Sequence, residues 1–258
     1  MKWLKRALVT LVVFYGLFGA VIYVAQERMM FFPKGEALAA CNLPAGVRIW
    51  EQGDTRGLLA ADGRERLLVF FHGNAESACD WRYLGVNHLN PLGYDVLVVE
   101  YPGYSGDERT PSKQGLLEAM AAAGEWAERR YDNITVMGYS MGTGAASVFA
   151  RDYEVDQVFL FAPYDSIYNV AFGMGLAYPR FLLRNDFDNV AALKMVDAPI
   201  YIVHGEADIV VPTEASKRLF DALQAAGRDV SRELRPGLGH QELFESESFD
   251  RYLAQNLL

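Results

Sequence analysis

The sequence predicts a doubly wound α/β fold: a mostly parallel sheet with a short cap, preceded by one membrane-spanning helix. Three observations carry this reading. Short apolar runs recur at strand length between helix-length segments, a glycine-flanked serine directly follows one of them, and a long uncharged stretch lies near the amino terminus. With 258 residues, 51% hydrophobic and 22% charged, the chain is long enough for one large domain, and its composition excludes collagen-like or proline-rich disorder.

From Ala7 to Ala25 there is no charge, and Lys2, Lys5 and Arg6 come just before. At 1.5 Å per residue these 19 residues reach about 28 Å, close to the hydrocarbon thickness of a bilayer. Residues 1–26 are therefore expected to be a retained anchor. A cleaved signal peptide shares the charged start, but its apolar core is shorter and ends at small side chains, where this sequence offers Tyr23 or Phe18. A buried core helix is the third alternative. The basic residues ahead of the span outweigh Arg28 and Lys34 behind it, so the positive-inside rule leaves the amino terminus in the cytoplasm. Residues 27–258 then face outward, into the periplasm if the cell is Gram-negative. There Cys41 and Cys79 could oxidise, and the sequence leaves a bridge and two free thiols both open. The net charge of −9 coexists with a basic first segment, so the outward domain is strongly acidic. Such a surface repels phosphate backbones and excludes nucleic acid as a partner.

Residues Val47–Trp50 and Gly57–Ala61 read as an antiparallel pair. Leu67–Phe71, Val96–Val99, Ile134–Met137, Val158–Phe161 and Ile200–Val203 lack polar alternation, as strands covered on both faces do. Ser112–Arg130 has helical apolar spacing, Thr213–Ala226 starts at a threonine cap behind Pro212, and His88 falls in a further helix after the first of these runs. The segment from about 164 to 196 is the expected cap. Its Tyr168, Phe172, Met174, Tyr178 and Phe181 suit either an acyl-chain pocket or plain packing of a helix on the sheet.

Ligands of such sheets bind at the carboxyl ends of the strands. After Ile134–Met137 comes Gly138-Tyr139-Ser140-Met141-Gly142 and then a small-residue helix start. A sharp strand-to-helix turn would lift Ser140 clear of the sheet, with glycines where a Cβ would strike backbone. An ordinary glycine-rich turn is the bland alternative. A serine nucleophile needs a base, and the base needs an orienting carboxylate. Among four histidines, His240 alone follows the candidate acids in the order serine, acid, histidine that elbow enzymes use. Asp208, just past Ile200–Val203, is the favoured acid, and Asp165 its rival. The oxyanion of a tetrahedral intermediate would meet the backbone N–H groups of Met141 and Asn74.

These residues resemble the α/β-hydrolase superfamily, and more narrowly the membrane-anchored group around the fission-yeast BEM46 protein. The carriers are ERMMFFP, FFHGNAES, EYPGYSG, GYSMG, VHGEADIVVP and GLGH, spread over residues 27–258. The resemblance implies a serine hydrolase with Ser140, Asp208 and His240 as triad and Asn74 and Met141 as oxyanion donors. Two departures concern loop shape: Tyr104 precedes Ser105 where relatives often carry glycine, and the histidine loop reads GLGH. The expected activity is cleavage of an ester, thioester or related acyl bond in a small-molecule or lipid-like substrate, with no cofactor and no metal. A peptidase or amidase, or a catalytically silent membrane-tethered binding module, are the alternatives.

Overall fold

A computed structural model describes residues 2–176, 178–244 and 247–257. Met1 and Leu258, the ends of the two expected domains, and Ala177 of the expected cap lie outside it. The first helix, α1 (Lys2–Met30), runs on past the expected boundary at residue 26. Only Gly19 and Gln26 of α1 are buried, which rules out a core helix.

Eight strands form one sheet: β1 (Val47–Gln52), β2 (Thr55–Ala60), β3 (Arg66–Phe71), β4 (Tyr94–Val99), β5 (Asn133–Tyr139), β6 (Gln157–Phe161), β7 (Ile200–Gly205) and β8 (Val230–Arg235). Their order is β1-β2-β4-β3-β5-β6-β7-β8, and only the pairings of β2 are antiparallel. Successive side chains of a strand point to opposite faces. Accordingly Leu67, Val69 and Phe71 of β3 enter one core layer and Leu68 and Phe70 the other. The first layer is completed by α2 (Lys113–Glu128), α3 (Gly142–Asp152), α5 (Asn189–Leu193) and α6 (Thr213–Ala225), and the second by the excursion between β3 and β4 and by α7 (Glu247–Asn256). Between β6 and β7, α4 (Ile167–Gly173) and α5 make up the cap.

His88 lies in a helix as expected, but in an irregular one: a π-helical stretch, Leu84–Leu89, followed by a 3-10 turn at Asn90–Leu92. One local expectation is corrected and one strand is added. Thr213 is the first residue of α6 and not its cap, since Pro212 holds the cap position without a side-chain bond. Strand β8 went unread because VSRELR is an edge strand with alternating exposure and no apolar run. Cys41 and Cys79 are disulfide-bonded, with Cα atoms 5.9 Å apart.

This bridge closes a loop with a sequence separation of 38, which holds the segment after α1 to the excursion following β3. Restricting the unfolded chain this way contributes about 2–4 kcal/mol. The double substitution of Cys41 and Cys79 by Ala should lower the thermal midpoint of the detergent-solubilised protein by several degrees without changing its far-ultraviolet circular dichroism.

Candidate active site

Strand β5 ends at Tyr139, α3 starts at Gly142, and the turn between them is too tight for ordinary residues at its flanks. A Cβ on Gly138 would stand 2.5 Å from the Gly142 carbonyl oxygen, and one on Gly142 would overlap the carbonyl oxygens of Phe71 and His72. Ser140, at the apex, adopts φ +51°, a region non-glycine residues occupy at a cost of about 1–3 kcal/mol. The turn is held by Ser140 N–H donating to Phe161 O at 2.9 Å and by Thr143, whose N–H and hydroxyl both donate to Ser140 O.

The structure brings Ser140, His240 and Asp208 into one hydrogen-bonded chain. Nε2 of His240 is 2.9 Å from Ser140 Oγ, and its Nδ1 is 2.6 Å from Asp208 Oδ2. His240 comes from the loop after β8, fastened where Ala207 N–H donates to Leu238 O at 2.9 Å and where the Tyr139 hydroxyl donates to His240 O at 3.1 Å. Asp208 follows β7. Its Oδ1 accepts from the N–H groups of Val210 and Val211 at 2.8 and 2.9 Å, and its Oδ2 also lies 3.1 Å from His204 Nε2. Burial alone would push this carboxyl up, but the bonds from His204, His240 and Val211 outweigh it and hold the group well below the usual carboxylate range.

The rival acid reaches no histidine. Asp165 is buried and takes both forks of the Arg218 guanidinium, at 2.9 and 3.0 Å, with Asn169 as a further donor. Of the remaining histidines, His88 pairs with Asp250, while His72 is fully buried 3.0 Å from Glu100. His204 is a site residue that sequence reasoning missed. Its Nε2 faces both Asp208 and the Val211 carbonyl, so the ring carries its proton there and steadies the acid from behind. The readable signal was its i, i+4 spacing from Asp208 at a strand end.

The loop after β3 packs against the end of β5, where a Cβ on Gly73 would stand 3.0 Å from the Tyr139 ring. The backbone N–H groups of Asn74 and Met141 find no acceptor among the described residues, as donors reserved for a ligand would. The Asn74 side chain, by contrast, is fully engaged. Its Nδ2 donates to Met30 O at 2.6 Å, and its Oδ1 accepts from Phe32 N–H, Ala75 N–H and the Tyr104 hydroxyl. Beneath this loop, Glu100 bonds His72, Ser105 and the N–H groups of Ala78 and Tyr101. The cap flanks the acid: Val170, Phe172 and Met174 face Ile209, Val210 and Pro212 across a cavity of about 520 Å³. No residue of α4 is buried, so plain core packing is not the role of its aromatic side chains.

The depressed pKa of Asp208 has a sign. Stability contributed by its carboxylate is complete above the unfolded value of about 4 and is lost as pH falls toward the folded value. Asp208→Asn should therefore lower the thermal midpoint at neutral pH, and its deficit against wild type should shrink between about pH 5 and pH 3.

A family model described as α/β hydrolase fold matches residues 66–160, and one described as serine aminopeptidase S33 matches residues 180–247. Human protein ABHD12B is 31% identical over 206 residues, 70% of this chain and 57% of its own. An uncharacterized protein of Mycobacterium tuberculosis is 28% identical over 243 residues, 86% and 82% of the two chains. The lysophosphatidylserine lipase ABHD12 of Mus musculus is 26% identical over 220 residues, 74% of this chain and 55% of its own. The chain thus spans a little over half the length of these two mammalian relatives. A solved esterase of Pyrococcus furiosus shares the fold, with a TM-score of 0.64 over 88% of this chain and 96% of that one at 13% identity. The sheet order, the two family matches and these relatives agree, and the chain belongs to the α/β-hydrolase superfamily.

Proposed function

We propose that the protein is a membrane-anchored serine hydrolase that cleaves an ester, thioester or related acyl bond through an acyl-enzyme on Ser140. The observation that carries the reading is the chain Ser140 Oγ, His240, Asp208, with bonds of 2.9 and 2.6 Å, on a strained elbow. His240 Nε2 takes the hydroxyl proton as Oγ attacks the acyl carbonyl carbon. The negative charge passes to the carbonyl oxygen, which the N–H groups of Met141 and Asn74 stabilise. As the intermediate collapses, His240 returns the proton to the leaving alcohol or thiol, and the acyl group stays on Ser140. Water attacks next with His240 again as base, releasing the carboxylic acid and restoring the serine.

The cap cavity, mostly apolar though Asn169 and Arg218 also line it, and the lipase named among the relatives favour a lipid-like acyl substrate. The span reading of α1 rests on its 29 residues and apolar composition, and the Cys41–Cys79 bridge suits an outward-facing, oxidising location. The serine aminopeptidase match keeps amide cleavage as a second reading, since triad and oxyanion donors serve both bonds. The narrower BEM46-like grouping remains a reading of the motifs.

Labelling of the solubilised protein with a fluorophosphonate should place an adduct on Ser140 that is absent in Ser140→Ala. Ser140→Ala and His240→Ala should each lower turnover of acyl esters by several orders of magnitude while the protein stays folded. Met141→Ala should cost little, because the main chain supplies that donor. A severe loss in Asp165→Asn with a mild one in Asp208→Asn would reverse the choice of acid.

A further inference from the structure

The cap does more than border the active site, because the segment after α4 runs back along α1. Tyr178 stacks on Tyr15 with ring centroids 4.4 Å apart, and its hydroxyl donates to Tyr15 O at 3.1 Å. Closer to the end of α1, Gln26 is 2% exposed; its Nε2 donates to Leu182 O at 3.2 Å and its Oε1 accepts from Arg184 N–H at 2.7 Å. Arg184 then pairs with Glu27 at 2.7 Å and covers the Tyr23 ring. A buried amide at the end of an apolar run is tolerated only when satisfied, and here the cap backbone satisfies it.

This docking fixes a depth. Glu27 is the first charge after the apolar run, and Tyr15 precedes it by twelve residues. At 1.5 Å per residue, Tyr15 lies about 18 Å further along the helix, near the middle of a hydrocarbon core of about 30 Å. Tyr178, held against it, is carried into the span region. Exposed apolar side chains of the cap and of the loop after Asp208 match that placement: Phe172, Met174 and Phe181 are 55, 79 and 80% exposed, and Ile209 is 96% exposed. Arg180, in the same segment, turns back to the carboxylates of Asp186 and Asp188. Helix α4 joins the two regions. Its Tyr168 and Ala171 border Gly19 and Ile22 of α1, and its Val170 and Phe172 border the cavity beside Asp208.

We propose that the cap tip and the loop after Asp208 are seated in the lipid leaflet adjoining the hydrolase domain, continuous with α1, so that the cavity opens toward lipid instead of water. This rests on the reading of α1 as a span. An amphiphile in that leaflet would reach the cavity without crossing bulk water.

The test uses the full chain in phosphatidylcholine vesicles, spin-labelled at Phe181→Cys or Ile209→Cys, with the Cys41–Cys79 bridge left oxidised. Accessibility of each nitroxide to oxygen and to a water-soluble nickel complex is compared with Leu17→Cys on α1 and Gln224→Cys on α6. Both cap labels should show an oxygen-to-nickel ratio several-fold above that at Gln224 and approaching that at Leu17. If the Leu17 label reads as lipid while both cap labels read as water, the proposal fails and the span stands. If the Leu17 label also reads as water, the span reading itself is wrong. Cap labels shielded from both reagents would mean that a second copy covers this face, and would equally overturn the proposal.

Discussion

The site depends on one backbone contact: the start of α3 lies against the end of β3, where Gly142 meets the carbonyl groups of Phe71 and His72. No side chain fits between them. The closeness forces the reversal at Ser140, and the loop after β3 packs beside the end of β5, where a Cβ on Gly73 would stand 3.0 Å from the Tyr139 ring. Among the described residues four non-glycine residues adopt positive φ, and each follows a successive central strand: Ala75 after β3, Ser105 after β4, Ser140 after β5 and Ala162 after β6. Strain of this kind persists only where surrounding structure over-determines it. Here the sheet provides that support, with β5 paired on both sides by parallel neighbours.

The acid and the histidine are arranged by the same sheet with less strain. Asp208 needs only a turn after β7, because two backbone N–H groups and His204 fix its carboxylate. His240 then meets a carboxylate that cannot swing away, which holds the imidazole in the tautomer that leaves Nε2 facing Ser140. Preorganisation is therefore graded along the chain: backbone geometry sets Ser140, hydrogen bonds set Asp208, and these two together set His240.

What could be read from the sequence follows the same gradation. The central strands were legible because burial on both faces leaves unbroken apolar runs, and the elbow because its geometry admits glycine alone at two fixed offsets. Strand β8 was not legible, since VSRELR carries only an edge pattern, and neither was the irregular π form of the helix that bears His88. The pairing of Cys41 with Cys79 was left open because separation in sequence does not give separation in space. Gln26 reads as a flaw in an apolar run until the fold brings Leu182 and Arg184 onto it. Contacts between distant segments of unlike pattern leave no periodic trace.

Asn74 joins these levels. Its backbone N–H has no acceptor among the described residues, while its side chain holds the carbonyl at the end of α1, the Phe32 N–H and the Tyr104 hydroxyl. The bond from the Tyr104 hydroxyl to Asn74 supplies a physical reason for a bulky residue at that position. Because the amide bonds α1 with one end and Tyr104 with the other, displacing α1 would leave its Nδ2 without an acceptor, and an unmade bond of this kind costs about 1–3 kcal/mol. The end of α1 is consequently a structural part of the loop after β3, and movement of the helix would be felt along that loop.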